Sequence, residues 1–267
     1  MIDWRGKVVV VTGAGGGIGA ALAHAFAARG ARVVVSDRDA AAGEAVARAT
    51  GGVAIAADVG IEAQTTALVR QVESEIGPIA LMASNAGILA RDADQQNAAS
   101  APDSEWDRSW RVNVMAHVWA ARAVLPGMIA RREGWLLQTV SAAGLLNIIG
   151  AAPYAATKAA ALAFAESLAI THRDDGIRVA ALCPQAVETA MIHGHDHMGG
   201  ADADGILSAA EVAADALGGL DEGRFLILPH PRVAEYRANK TADYGRWIGG
   251  MAKFRRGVLA PPFPRTG

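Results

Sequence analysis

Tyr154 and Lys158 stand four residues apart at the start of a segment of helical period over 154–171, so a phenol and an ammonium can share one face, one turn apart. The pair suits proton transfer. A cation roughly 5 Å from a phenol, at an effective dielectric near ~20, contributes about 3 kcal/mol and would lower an ordinary tyrosine pKa of ~10 by about two units, toward the range of a general base. Tyr-x-x-x-Lys alone also describes an exposed pair on any helix. Ser141, thirteen residues before Tyr154 at the C-terminal end of an expected strand, weighs against accident.

A second constellation lies near the N-terminus, where Thr12-Gly-Ala-Gly-Gly-Gly-Ile-Gly19 joins an apolar strand to an Ala-rich helix. Glycines there let the chain turn sharply and let a pyrophosphate approach main-chain N–H groups at the positive end of the helix. Two registers fit: Gly15, Gly17 and Ala20 as G-x-G-x-x-A, or Thr12, Gly13, Gly17 and Gly19 as T-G-x-x-x-G-x-G. The second begins where the strand ends and is preferred. Asp37, twenty residues after Gly17 at the end of the second strand, is placed to accept hydrogen bonds from an adenosine ribose. A carboxylate roughly 5 Å from a 2′-phosphate would repel it by about 3 kcal/mol, which favours NAD over NADP. Arg38 beside it could pair with that phosphate, and keeps NADP as the alternative.

The elements that position these groups alternate in the manner of repeated βα units. Strands are expected at 7–12, 32–36, 53–56, 79–83, 135–140, 178–182 and 224–228, several of them continuous apolar runs that suit burial on both faces. Helices fill the gaps, with Gly30 and Gly77 at expected C-caps, and Ser104 with Asp107 as the expected cap of a long helix reaching Arg131. Segments 90–103 and 191–205 read as irregular loops after strands, where an α/β sheet carries its functional loops. No internal repeat and no Pro/Gly-rich linker divides the 267 residues.

Composition removes whole classes of function. With 52% apolar residues the chain can fill a core on both faces of a sheet, while a formal net charge of −2 without basic runs lacks the footprint of a nucleic-acid or anionic-membrane binder. Cys183 is the single cysteine, so no internal disulfide forms, in keeping with a reducing compartment. Val8–Val11 is too short for a signal segment, and the apolar stretch 159–170, interrupted by Glu166, is too short to span a bilayer. A cytoplasmic enzyme with a small-molecule substrate is therefore expected.

Taken together, the glycine turn, Asp37, Ser141 and Tyr154-Ala-Ala-Thr-Lys158 make the sequence resemble the short-chain dehydrogenase/reductase family over about 7–191. The resemblance implies an α/β fold, a single doubly wound Rossmann-type domain over 1–267. Its mainly parallel seven-stranded sheet would have helices on both faces, a substrate lid at about 190–207 and a C-terminal extension at about 230–267. It implies that Thr12, Gly13, Gly17, Ile18 and Gly19 cradle the cofactor phosphates, that Asp37 with Arg38 beside it meets the ribose, and that Asp58-Val59 meets the adenine. Asn85-Ala86-Gly87 would support the sheet end, and Pro184, Val187 and Thr189 would meet the nicotinamide carboxamide. Asn113 would complete a catalytic tetrad with Ser141, Tyr154 and Lys158. In it Ser141 hydrogen-bonds the substrate oxygen, Tyr154 exchanges the hydroxyl proton, Lys158 also holds the nicotinamide ribose, and Asn113 holds a water. A homotetramer or homodimer is implied as well.

The expected activity is hydride transfer between NAD(H) and a hydrophobic secondary alcohol or ketone. The alternatives are an NADP-dependent ketoreductase of the same family and a non-catalytic cofactor-binding protein. Two positions depart from the family pattern: Gln185 where glycine is usual, and Ser84 where a first asparagine is common. His193, His195 and His197 alternate in the expected lid and are read as solvated residues, with no metal. Trp247, Met251 and Phe254, at i, i+4 and i+7 of an expected helix within 232–255, are read chiefly as core or subunit packing, and otherwise as a cap on an apolar pocket. Leu145, Leu146, Ile148 and Ile149 are better placed to touch substrate.

Overall fold

The computed structural model describes residues 1–192 and 198–259. Its strands are Val8–Thr12 (β1), Arg32–Asp37 (β2), Val53–Ala56 (β3), Ile79–Ser84 (β4), Gly134–Thr139 (β5) and Ile177–Leu182 (β6). A separate two-residue pair follows, Val187–Glu188 (β7) and Leu207–Ser208 (β8), and then Leu226–Ile227 (β9). Seven of these form one sheet in the order β3-β2-β1-β4-β5-β6-β9, every pairing parallel. Growth of the sheet reverses between β1 and β4, so the crevice at their C-terminal ends is the topological switch point at which such sheets bind ligands.

The helices are Gly17–Ala28 (α1), Ala40–Thr50 (α2), Glu62–Glu75 (α3), Asp103–Trp110 (α4), Ala116–Arg131 (α5), Ala142–Leu146 (α6), Ala152–Thr171 (α7), Ala209–Asp221 (α8), Arg232–Ala242 (α9) and Tyr244–Val258 (α10). Alternating strand residues feed two apolar layers. Val8, Val10, Met82 and Leu136 pack with Val69 of α3, Val124 of α5 and Ala161 of α7. Val9, Val11, Leu81 and Leu137 pack with Leu22 and Phe26 of α1 and Leu217 of α8. All five residues of β1 are buried, which is why Val8–Val11 reads as an unbroken apolar run.

Two expected features differ. Ser104 and Asp107 lie inside α4, whose N-cap is Pro102 without a side-chain hydrogen bond; proline favours the extended backbone that precedes a helix, and Asp103 and Glu105 supply acids to the first turn. The continuous helix expected within 232–255 is two helices, because Asp243 takes an extended conformation and its carboxylate accepts from Arg246 N at 2.8 Å, starting α10 afresh. Asp103–Arg131 forms one helical run of 29 residues, long and apolar enough to cross a membrane, yet 56% of its most apolar stretch is buried against the protein. Within that run Arg111–Met115 is a π-helical turn.

Candidate active site

The glycine turn is held against the end of β4. Gly13 has φ +61°, and a Cβ there would lie 2.7 Å from Ala86 Cα. A Cβ on Gly19 would lie 2.2 Å from Gly13 O, so the first turn of α1 can rest on the loop only without a side chain. Gly15, of the other register, is confined as well: a Cβ there would lie 2.9 Å from Ala42 Cβ. α1 begins at Gly17 after an extended Gly16, with no side-chain cap and no acid in its first turn, leaving its N–H groups and positive end directed at the crevice.

A cleft of about 630 Å³ runs across this crevice, and Gly13, Gly17, Ile18, Asp37, Arg38, Asp58, Val59, Asn85, Ala86, Gly87, Ser141, Tyr154, Lys158, Pro184, Val187 and Thr189 all line it. Thr12, Gly19 and Asn113 do not, and they act from behind its wall. Thr12 Oγ1 accepts from Asn85 N at 3.0 Å and Ala86 N at 3.3 Å, while Asn85 Nδ2 donates to Thr12 O at 3.0 Å. Thr12 thus fastens β1 to β4 and is not part of the lining cradle. Asp37 is fixed at the far end, where Oδ2 accepts from Gly15 N at 2.9 Å and Oδ1 from Asp39 N at 3.0 Å. The glycine cradle, the open helix end and a fixed carboxylate fit a dinucleotide.

Asn113 sits in the π turn, fully buried. Its Oδ1 accepts from Ile88 N at 2.9 Å, and its Nδ2 donates to Ile88 O at 2.9 Å and to Thr157 Oγ1 at 3.1 Å. Thr157 Oγ1 in turn donates to Tyr154 O at 2.9 Å. One side chain therefore ties the loop after β4 to the helix that carries Tyr154 and Lys158, and the extra backbone residue of the π turn accompanies that reach.

Pro153 opens α7, where its missing N–H costs nothing, and sets Tyr154 in the first turn with Lys158 one turn on. Lys158 Nζ lies 5.7 Å from the Tyr154 ring centroid and donates to Thr139 O at 3.0 Å. Ser141 caps α6, accepting from Ala143 N at 3.1 Å, and donates to Pro184 O at 3.4 Å. All three side chains are buried. Burial alters the expected electrostatics. The Tyr154 phenol is pushed above its ordinary value by burial, against the opposing hydrogen bond from Ser141, and is not depressed by Lys158. Burial likewise holds Lys158 down at about 8, so the ammonium is still largely protonated near neutrality but is lost over the next pH unit or two.

A second cavity of about 340 Å³ opens from the same point. Ser141, Tyr154 and Gln185 line both spaces, as do Leu89, Met191 and Ile192. Its wall is mostly apolar, and Trp247, Met251 and Phe254 of α10 form part of it. The stripe expected chiefly as packing thus faces a cavity, with Trp247 also packed on the core. Leu146 and Ile148 line the cavity, whereas Leu145 and Ile149 are buried beside it. Met198 and the segment from Gly199 to Ala203 border it, within the expected lid, but His193, His195 and His197 lie outside the described residues. The sequence reading missed Tyr236, which lines the cavity from α9, and His230, whose Nδ1 accepts from Gln185 N at 3.2 Å; neither belongs to a motif or a stripe.

Comparison with known proteins follows the same lines. The profile described as short chain dehydrogenase matches residues 7–198. The chain is 36% identical over 264 residues to 1-deoxy-11-beta-hydroxypentalenate dehydrogenase of Streptomyces exfoliatus, covering 97% of this chain and 92% of that protein. It is 35% identical over 198 residues to epidermal retinol dehydrogenase 2 of Mus musculus, covering 71% of this chain and 63% of that longer protein. A short chain dehydrogenase/reductase of Burkholderia phymatum, solved in complex with NAD, superimposes with a TM-score of 0.80 at 27% identity, covering 99% of this chain and 100% of that one.

Proposed function

Because the chain belongs to the short chain dehydrogenase family, and is therefore an oxidoreductase acting on CH–OH groups, we propose that it exchanges hydride between NAD(H) and a secondary alcohol or ketone on a hydrophobic skeleton. The observation that carries this reading is the meeting of the long cleft and the apolar cavity at Ser141 and Tyr154. When bound, the nicotinamide supplies or accepts the hydride. The chain's own residues supply the proton and the alignment.

In this reading Ser141 donates a hydrogen bond to the substrate oxygen and Tyr154 gives that oxygen its proton during reduction, or takes it during oxidation. The raised phenol pKa keeps that proton on Tyr154 near neutrality in the cofactor-free protein. Lys158, held to Thr139 O, stands beside the phenol and on the cleft wall, where it can meet a ribose hydroxyl. Asn113 keeps Ile88 and α7 in register, so that the three groups converge. The apolar wall, including Trp247, excludes water from the reacting carbon. Met191, Ile192 and Met198 contribute to that wall, which supports a lid role for the described parts of 190–207.

Asp37 supports NAD over NADP, since its carboxylate faces the cleft already held by two backbone N–H groups. Arg38 on the same wall is the feature that favours the NADP reading. Steady-state assays with both cofactors on a panel of alicyclic and aryl alcohols, polyols and their ketones test the proposal. Turnover of the apolar alcohols with NAD is expected, and a panel in which polyols outperform them would overturn the hydrophobic assignment.

A further inference from the structure

Gln185 occupies the junction of the two spaces, at a position where the family pattern has glycine. Its backbone gives no reason for either residue: the non-glycine residues with positive φ among those described are Arg132 and Asn147. Gln185 is thus seated without strain, and its side chain is free to serve another end. The preceding carbonyl, Pro184 O, accepts from Ala142 N at 2.8 Å and from the Ser141 hydroxyl at 3.4 Å, so Gln185 begins beside the serine that faces the reacting oxygen. On its other side, Gln185 N donates to His230 Nδ1, and His230 is buried, which anchors the segment to the chain after β9.

The amide group has hydrogen-bonding capacity to spare. Gln185 Oε1 is buried without a hydrogen-bond partner among the described residues. Neighbouring polar groups on the cavity wall are engaged. Tyr236 donates its hydroxyl proton to Asp204 Oδ1 at 2.9 Å, and Asn147 Oδ1 accepts from Ile148 N at 2.6 Å. A buried acceptor left unmet is costly, and a ligand hydroxyl proton can satisfy it. Either end of the amide can turn to the junction, the NH2 toward a carbonyl or hydroxyl oxygen and the oxygen toward a hydroxyl proton.

Resting on the proposed roles of Ser141 and Tyr154, we infer that Gln185 is a specificity-determining residue that hydrogen-bonds a second oxygen of the substrate, on the carbon next to the one that exchanges hydride. The preferred substrates are then alicyclic vicinal hydroxy-ketones and diols, with the ring against the apolar wall and two adjacent oxygens at the junction. A site built to pair a hydroxyl discriminates strongly against the analogue that lacks it, because the protein group is then left unpaired.

The test compares 2-hydroxycyclohexanone with cyclohexanone on the full-length protein, in the wild type, in Gln185→Met, which keeps volume and removes the amide, and in Gln185→Ala. Two readouts are taken: kcat/KM for reduction with NADH, and dissociation constants of the two ketones from the protein–NADH complex, followed by nicotinamide fluorescence. In the wild type the hydroxy-ketone is expected to be favoured at least tenfold in both, and in both variants the ratio falls to within twofold. A wild-type ratio near one, or a ratio that survives both substitutions, overturns the inference. A tenfold binding preference that collapses in Gln185→Met while neither ketone is reduced would support the role of Gln185 and overturn the redox reading on which it was built.

Discussion

Lys158 Nζ stands 5.7 Å from the centroid of the Tyr154 ring, with its proton given to Thr139 O at 3.0 Å. The cation therefore lies beside the phenol while being tied to the end of β5, and both groups are buried. Each carries the cost of burial in its own direction: the phenol resists ionising and the ammonium resists keeping its proton.

Lys158 should leave a signature on stability. Its pKa in the folded, cofactor-free protein is about 8, below the 10.5 of an exposed lysine, so in the window between them the unfolded chain binds more protons and stability rises with pH. The contribution is complete above 10.5 and is lost as pH falls through about 8. From pH 8 to 9 this one group adds about 1 kcal/mol. The buried Cys183 thiol, pushed up to about 12, works in the opposite sense above about pH 9, which confines the comparison to this window. Urea unfolding at pH 8 and 9 should show the rise in the wild type and its absence in Lys158→Met; equal slopes would remove Lys158 as its source.

Tyr154→Phe tests the proton donor. The ring keeps its packing against Ala143 and Ala151, while the phenolic hydroxyl is lost. Turnover is expected to fall by about 10²–10⁴-fold, the usual contribution of a positioned acid or base. NADH affinity, read by fluorescence titration, should stay within a few-fold, and near-normal turnover would take Tyr154 out of the chemistry.

How far these residues could be read in advance depended on how local their causes are. The central strands announced themselves because burial on both faces demands a run of apolar residues, as in Val8–Val11. The glycines were legible for a similar reason, since Gly13 takes a left-handed backbone within the turn and Gly19 lies against Gly13 O of the same turn. Asn113 was named, but its π turn was not: that conformation accompanies hydrogen bonds to Ile88 and Thr157, both distant in sequence. The elevated phenol pKa was missed because a helical spacing of four says nothing about solvent, and burial is the largest cause. The stripe of Trp247, Met251 and Phe254 gave the right face of the helix without saying what lay opposite it.

Asp37→Asn removes the charge at nearly constant shape and keeps an oxygen for the Gly15 N–H. The ratio of kcat/KM for NAD over NADP should drop by up to about a hundredfold, since about 3 kcal/mol of repulsion toward a 2′-phosphate disappears and Arg38 remains on the same wall. An unchanged ratio would show that another residue selects the cofactor.

Two glycines of the same loop should respond oppositely to alanine. At Gly19 the new Cβ would lie 2.2 Å from Gly13 O and 2.6 Å from Asn85 Nδ2, so the turn must open or α1 must shift. Overpacking of this kind costs about 1–3 kcal/mol, and the loss of the cradle's shape should weaken NADH binding as well. At Gly16 the backbone is extended, with φ −171°, and a Cβ would meet nothing within 4 Å. Gly16→Ala should therefore unfold at the same urea concentration as the wild type, while Gly19→Ala unfolds earlier. If both variants were equally stable, the contact between α1 and the loop would not be the constraint that demands glycine at position 19.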